Sequence, residues 1–161
     1  MGTPISVPIE LFLKKIERDK HFFQYYDMPD DAAMELAIKR AKTFLDEAIG
    51  RVLIECQPEV DFLTRTEEGN FIFDWTSQEK ILIPSLMYEA YLNRDFAYLK
   101  TLSVNYTSTN LKVFDPSNAR ATFLDMYNKI CEENRHLIDR YKNTNRLTGQ
   151  YKSVNFSDYD F

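Results

Sequence analysis

The chain predicts a mainly α fold, a helical bundle of about four helices with a small β-hairpin and an extended C-terminal arm. Three observations carry that expectation. Met34, Ile38, Ala41, Leu45, Ala48 and Val52 recur in alternating steps of four and three, the spacing that lines one face of a helix. Phe123, Tyr127, Ile130, Leu137 and Tyr141 form a second such stripe. The final stretch from Asn143 to Phe161 is polar and poor in aliphatic side chains, yet it carries Tyr151, Phe156, Tyr159 and Phe161. A segment of that composition builds no core of its own, but its rings can bury apolar surface on a partner.

The first element follows Pro8, where Ile9, Phe12, Leu13 and Ile16 predict a short amphipathic helix over 9 to 19. An aromatic loop comes next, with His21, Phe22, Phe23, Tyr25 and Tyr26 leading to Met28 and Pro29. Asp30 and Asp31 then suit a helix start, because a side-chain oxygen can accept from the first amides and negative charge favours the positive end of the dipole. This second helix is expected over 30 to 53 as the centre of the bundle. Phe44 and Ile49 widen its stripe, and Leu45 is a core residue.

From Val60 to Phe73 the periodicity changes. VDFLTRT and NFIF are rich in β-branched and aromatic residues, and Glu67, Glu68, Gly69 and Asn70 between them make a turn, so a small hairpin is expected. Trp75 after Asp74 is read as the anchor of that hairpin on the helices. Thr76 and Glu79 match a capping box and open a helix over 77 to 95, with Pro84 either in its first turn or kinking it. Asn105 to Asn110 reads as a polar linker. Asp115 and Pro116 then supply an N-cap and a preformed first helical residue. The last helix, 116 to 142, adds Leu124, Cys131 and Ile138 at intervals of seven beside its main stripe. About 25 residues span about 37 Å, longer than a small domain needs, which leaves part of this helix for another subunit.

With 161 residues, 44% of them hydrophobic, the chain suits one core, divided here into a helical domain over 1–142 and a docking arm over 143–161. Twenty basic residues face 25 acidic ones, for a net charge of -5, which argues against phosphate neutralisation and hence against DNA binding as the main function. Cys56 and Cys131 stand far apart with no CxxC or His-rich neighbourhood, so both are expected as buried thiols in a reducing compartment. No apolar run reaches the roughly 20 residues that cross a bilayer, and the start lacks the basic and apolar regions of a secretion signal. A soluble, intracellular chain is expected. Gly2 with Ser6 fits the loose myristoylation pattern, which is common by chance.

Chemistry finds no carrier in the sequence. Glu133 and His136 have the Glu-x-x-His spacing of helical di-iron sites, but such sites need two copies, and His21 has Arg18 where the second glutamate should stand. The expected reading is a solvated polar face. There is no G-x-S-x-G elbow, Gly-rich phosphate loop or H-E-x-x-H, so no catalytic residue, metal or cofactor is expected, and the chain is not read as an enzyme.

Two stretches resemble the head-to-tail connector, or adaptor, proteins of tailed bacteriophages. One runs from Asp30, Asp31, Ala32 and Ala33 through Phe44, Leu45, Asp46, Glu47, Ala48 and Ile49 to Gly50. The other is Leu86 to Arg94, LMYEAYLNR. They are similar to the family's paired long helices, the first ending in an acidic, aromatic, glycine-terminated turn and the second in an Asn-Arg end. The likeness covers about half of the chain, from Ile9 to Tyr98, while the long last helix and the aromatic tail exceed the minimal pattern.

The resemblance implies a structural virion protein of the neck, assembled in the host cytoplasm as a homo-oligomeric ring beneath the portal. Portal protein and neighbouring neck or tail proteins would be its partners, DNA would pass nearby without specific binding, and no membrane would be involved. A C-terminal arm inserted into a neighbouring ring agrees with the reading of Tyr151, Phe156, Tyr159 and Phe161 as protein-interaction residues. A small helical module, regulatory or anti-defence, that binds a host protein through the same arm is the alternative. On either reading, removal of the residues after Thr144 is expected to leave the melting temperature nearly unchanged.

Overall fold

The computed structural model describes residues 2–17, 20–23, 28–105 and 116–153, apart from the side chains of 20–21, 95–105 and 116–120. It is mainly helical. Four helices, α1 (Ser6–Lys15), α3 (Asp30–Cys56), α4 (Ser77–Asn105) and α5 (Pro116–Asn143), are accompanied by a single helical turn, α2 (Lys20–Phe23), between α1 and α3, and no sheet forms among the described residues. α3 packs against every other helix, and most extensively against α4.

The face that α3 buries differs from the expected stripe at its start. Ala37, Ala41 and Leu45 are wholly buried and Ala33 nearly so, whereas Met34 is 47% exposed. Alanines let neighbouring backbones come close, and the expected stripe took Met34 and Ile38 in place of Ala33 and Ala37. Further along, Phe44, Ala48, Ile49 and Val52 are buried as the periodicity requires. Phe44 joins Phe12, Phe22 and Tyr91 in a mutual aromatic cluster with centroids 5.6 to 6.1 Å apart, which ties α1, α2, α3 and α4 together. Such edge-on pairs add to area burial because a positive ring edge meets a negative face.

Several boundaries are corrected. α1 begins at Ser6 and ends at Lys15, earlier than expected at both ends. Pro29 is the N-cap residue of α3 and no side chain caps this end, so Asp30 and Asp31 contribute as first-turn charges and not as hydrogen-bonded caps. Gly50 does not end α3, which continues to Cys56 and closes on Gln57 at φ 47°. Nor does α4 end at Asn93 and Arg94, since it runs on to Asn105. Pro84 lies inside α4, where its missing N–H leaves the Lys80 carbonyl without the usual donor. Both helix ends in the resemblance are thus interior positions of longer helices.

Between α3 and α4 the chain builds a second aromatic cluster. Phe62, Phe71, Phe73 and Trp75 meet at centroid distances of 4.6 to 6.4 Å. Arg65 and Phe71 form an isolated antiparallel bridge about a turn in which Gly69 takes φ 82°. The N-terminus seals this cluster. Thr3 N–H donates to Phe73 O and Phe71 N–H to Thr3 O, both at 3.0 Å, while Thr3 Oγ1 accepts from Trp75 N–H at 2.8 Å. A Cβ on Gly2 would lie 1.6 Å from Phe71 O, so close backbone approach requires glycine here.

Candidate docking arm and its anchor

The site begins at the start of α4. Thr76 N–H donates to Glu79 Oε2 at 2.7 Å and Glu79 N–H to Thr76 Oγ1 at 3.3 Å, which is the reciprocal capping box expected from Thr-Ser-Gln-Glu. The sequence does not announce what else this carboxylate holds. Glu79 is fully buried, and Tyr141 of α5 donates its hydroxyl to Oε1 at 2.8 Å. Arg146, beyond the end of α5, donates Nε to Oε1 at 2.7 Å and Nη2 to Oε2 at 3.0 Å. The pair is bidentate, the geometry in which a guanidinium binds a carboxylate best.

Arg146 is further held by Asp74 O at 2.7 Å, and its guanidinium sits 4.9 Å from the centroid of Phe73. Burial works against its charge, but Glu79 outweighs that effect and raises its pKa above the ordinary arginine value. Tyr141 is pushed upward by burial first and then by the adjacent Glu79 charge. A carboxylate removed from water is costly unless its lone pairs are filled, and here Thr76, Tyr141 and Arg146 fill them.

Residues 144–152 hold Arg146 in place by folding into a closed turn. Asn145 N–H donates to Gln150 O at 2.7 Å, Asn145 Oδ1 accepts from the amides of Leu147 and Thr148 at 3.0 Å, and Gly149 adopts φ 68°. Thr144 pairs with Tyr151 in an antiparallel bridge, and its hydroxyl donates to Arg140 O at 2.8 Å. Lys152 N–H returns to Asn143 O at 2.8 Å, and Lys152 Nζ stands 3.5 Å from Glu59. The beginning of the 143–161 segment is therefore fastened to the helical body. The expectation of a neutral truncation after Thr144 does not survive this contact, because cutting there strips the buried Glu79 of its cation.

A second buried polar group lies at the middle of α4. Glu89 accepts from Arg51 at 2.7 Å, from Asn134 Nδ2 at 2.7 Å and from the Cys131 thiol at 3.4 Å. A cleft of about 180 Å³ beside it is lined by Glu47, Arg51, Leu86, Glu89, Asn93 and Tyr127 among others. Burial, then the Cys131 hydrogen bond, pushes the Tyr127 hydroxyl up to about 12. Because Glu89 is engaged on both oxygens, the cleft wall is a structural tie between α3, α4 and α5.

Of the residues singled out in the arm, Tyr151 is 75% exposed at the end of the anchored turn. Phe156, Tyr159 and Phe161 lie outside the described residues. Glu133 and His136 are both exposed on α5, and no group of three metal-type side chains occurs among the described residues. Trp75 is buried against Phe62 and Phe71. Cys56 is buried as expected, but Cys131 is only partly so, because the first half of α5 is less covered than the second. No helix among the described residues is long and apolar enough to cross a membrane. Sequence reasoning missed Arg146 and Asn134. Each is polar within a polar stretch, and the only visible signal was the capping role of Glu79.

The chain has no significant match to a family model, to a curated protein or to a solved structure.

Proposed function

We propose that the protein is a non-catalytic structural component of a virion neck, a head-to-tail connector that forms a ring beneath the portal and extends the DNA channel. Its small β-hairpin over 60–73 and its extended C-terminal arm belong to this reading, with Tyr151, Phe156, Tyr159 and Phe161 contacting the portal or neighbouring neck and tail proteins. The observation that carries it is the anchor. Arg146 locks the turn that precedes the aromatic residues to the buried Glu79, and an arm that starts from a fixed base loses less entropy when it docks.

The exposed flank of α5 is a second support. Leu124 is 39% and Met126 41% exposed, so the early part of this helix offers apolar surface suited to a neighbouring subunit. An acidic chain also fits beside moving DNA, since negative walls do not hold phosphates by ion pairing.

Electron microscopy of the full chain, alone and mixed with purified portal, tests the proposal. Rings of roughly a dozen copies on the portal are the expected result. A monomer or small closed oligomer that ignores the portal and captures a host protein through the arm favours the alternative of a regulatory or anti-defence module.

A further inference from the structure

The turn that follows α5 is fastened to the helical body at essentially one side chain. From Asn145 to Ser153 every residue is exposed except Arg146, and Leu147 and Tyr151 reach 82% and 75%. The backbone hydrogen bonds of this stretch among the described residues run from Asn145 to Gln150, Gly149 to Asn145 and Lys152 to Asn143, so they close on the stretch itself or on the end of α5. Its contacts with more distant parts of the body are those of Arg146 with Glu79, Asp74 O and Phe73, and the 3.5 Å approach of Lys152 to Glu59. Lys152 and Glu59 have side chains 51% and 59% exposed, and an ion pair in that setting contributes little. We propose that residues 145–153 are a strap that opens as a unit, apart from global unfolding, when Arg146 leaves Glu79, and that opening uncovers Cys56.

The strap does not hold itself together without its latch. A lone two-stranded turn with no buried apolar face is marginal in water, so its internal bonds are lost along with the Arg146 contact. The body, by contrast, survives. Its core includes no side chain beyond Tyr141 among the described residues, so opening removes no apolar packing from it. Glu79 keeps the Thr76 amide and the Tyr141 hydroxyl, and water solvates the carboxylate where the guanidinium withdraws.

Cys56 is what the strap covers. The residue is 7% exposed, and it shares a depression of about 20 Å³ with Thr144, Arg146 and Lys152. When the last two swing away, that wall is gone and the thiol meets solvent. The freed strap also lengthens the chain beyond α5 by up to about 30 Å, at about 3.3 Å per residue. A partner that binds the freed chain or the uncovered surface draws the equilibrium toward the open form through its preference for that form. This device does not depend on the connector reading.

Labelling of Cys56 with an aromatic disulfide, in full-length chain carrying Cys131→Ser to silence the other thiol, tests the strap. Labelling is expected without denaturant, at a rate nearly independent of urea below the unfolding transition, because opening exposes little surface. The amides of Asn145, Gly149 and Lys152 should exchange with one common opening constant that matches the labelling. Arg146→Lys keeps the charge and loses the two-pronged bond, so it should speed labelling by about tenfold or more, while Lys152→Ala should change it by less than about threefold. A labelling rate that climbs with urea along the slope of complete unfolding overturns the proposal, as do three amides with unrelated opening constants. An effect of Lys152→Ala equal to that of Arg146→Lys refutes the single latch. Should Arg146→Lys fail to fold, the urea dependence and the three amides of the otherwise unaltered chain still decide.

Discussion

The carboxylate of Glu79 caps α4 and also neutralises Arg146, which stands 67 positions later and beyond the last helix. One buried side chain thus couples a local event, the start of a helix, to a distant one, the fastening of the C-terminal segment. Both groups are well shielded, with side-chain exposures of 0% for Glu79 and 12% for Arg146, so this pair is not of the weak surface kind.

Arg146→Leu is therefore expected to destabilise the fold by about 3 to 5 kcal/mol, because it leaves a buried carboxylate without its cation. Combining it with Glu79→Gln should recover part of that loss. Urea denaturation measures both, and a loss below about 1 kcal/mol for the single change contradicts the assigned role. Deletion after Ser153 spares the anchor and should leave the midpoint nearly unchanged, whereas deletion after Thr144 should behave like Arg146→Leu.

Leu45 is wholly buried at the centre of α3. Leu45→Ala should cost about 2 to 5 kcal/mol, the range found when large core side chains are truncated. Chemical denaturation with an unchanged m-value is the appropriate check.

Gly50 offers a change of opposite sign. It lies inside α3, and a Cβ added there meets no atom within 4 Å. Gly50→Ala should stabilise the protein by about 0.5 to 1 kcal/mol through the lower entropy of the unfolded chain. A falling melting temperature would show that a terminus, not an interior turn, stands at this position.

Alkaline pH should destabilise the fold. Burial raises Cys56 from 9.0 to about 11, so the unfolded chain releases that proton first and stability falls as pH climbs between those values. Tyr127, moved from 10.0 to about 12, extends the loss, and Tyr141 moves in the same direction. Thermal melts from pH 8 to 11 should show a progressive decrease. A flat profile would mean that these groups are solvated.

The helices and much of the core were legible in the amino-acid order. Periodicity located α3, α4 and α5, the Thr76 and Glu79 pair marked a helix start, and the rings of 123 to 141 outlined the packed side of α5. These are local properties, set by side-chain spacing and by hydrogen bonds a few residues apart. Tertiary structure decided where α3 stops, since the buried Cys56 lies past the expected end at 53, and α4 runs on to Asn105 past the expected end at 95. It also decided what Glu79 and Glu89 hold, because Arg146, Tyr141, Arg51 and Asn134 come from distant positions. A polar residue in a polar stretch looks solvated until the fold buries it, and only then does the cost of an unpaired charge dictate its partner.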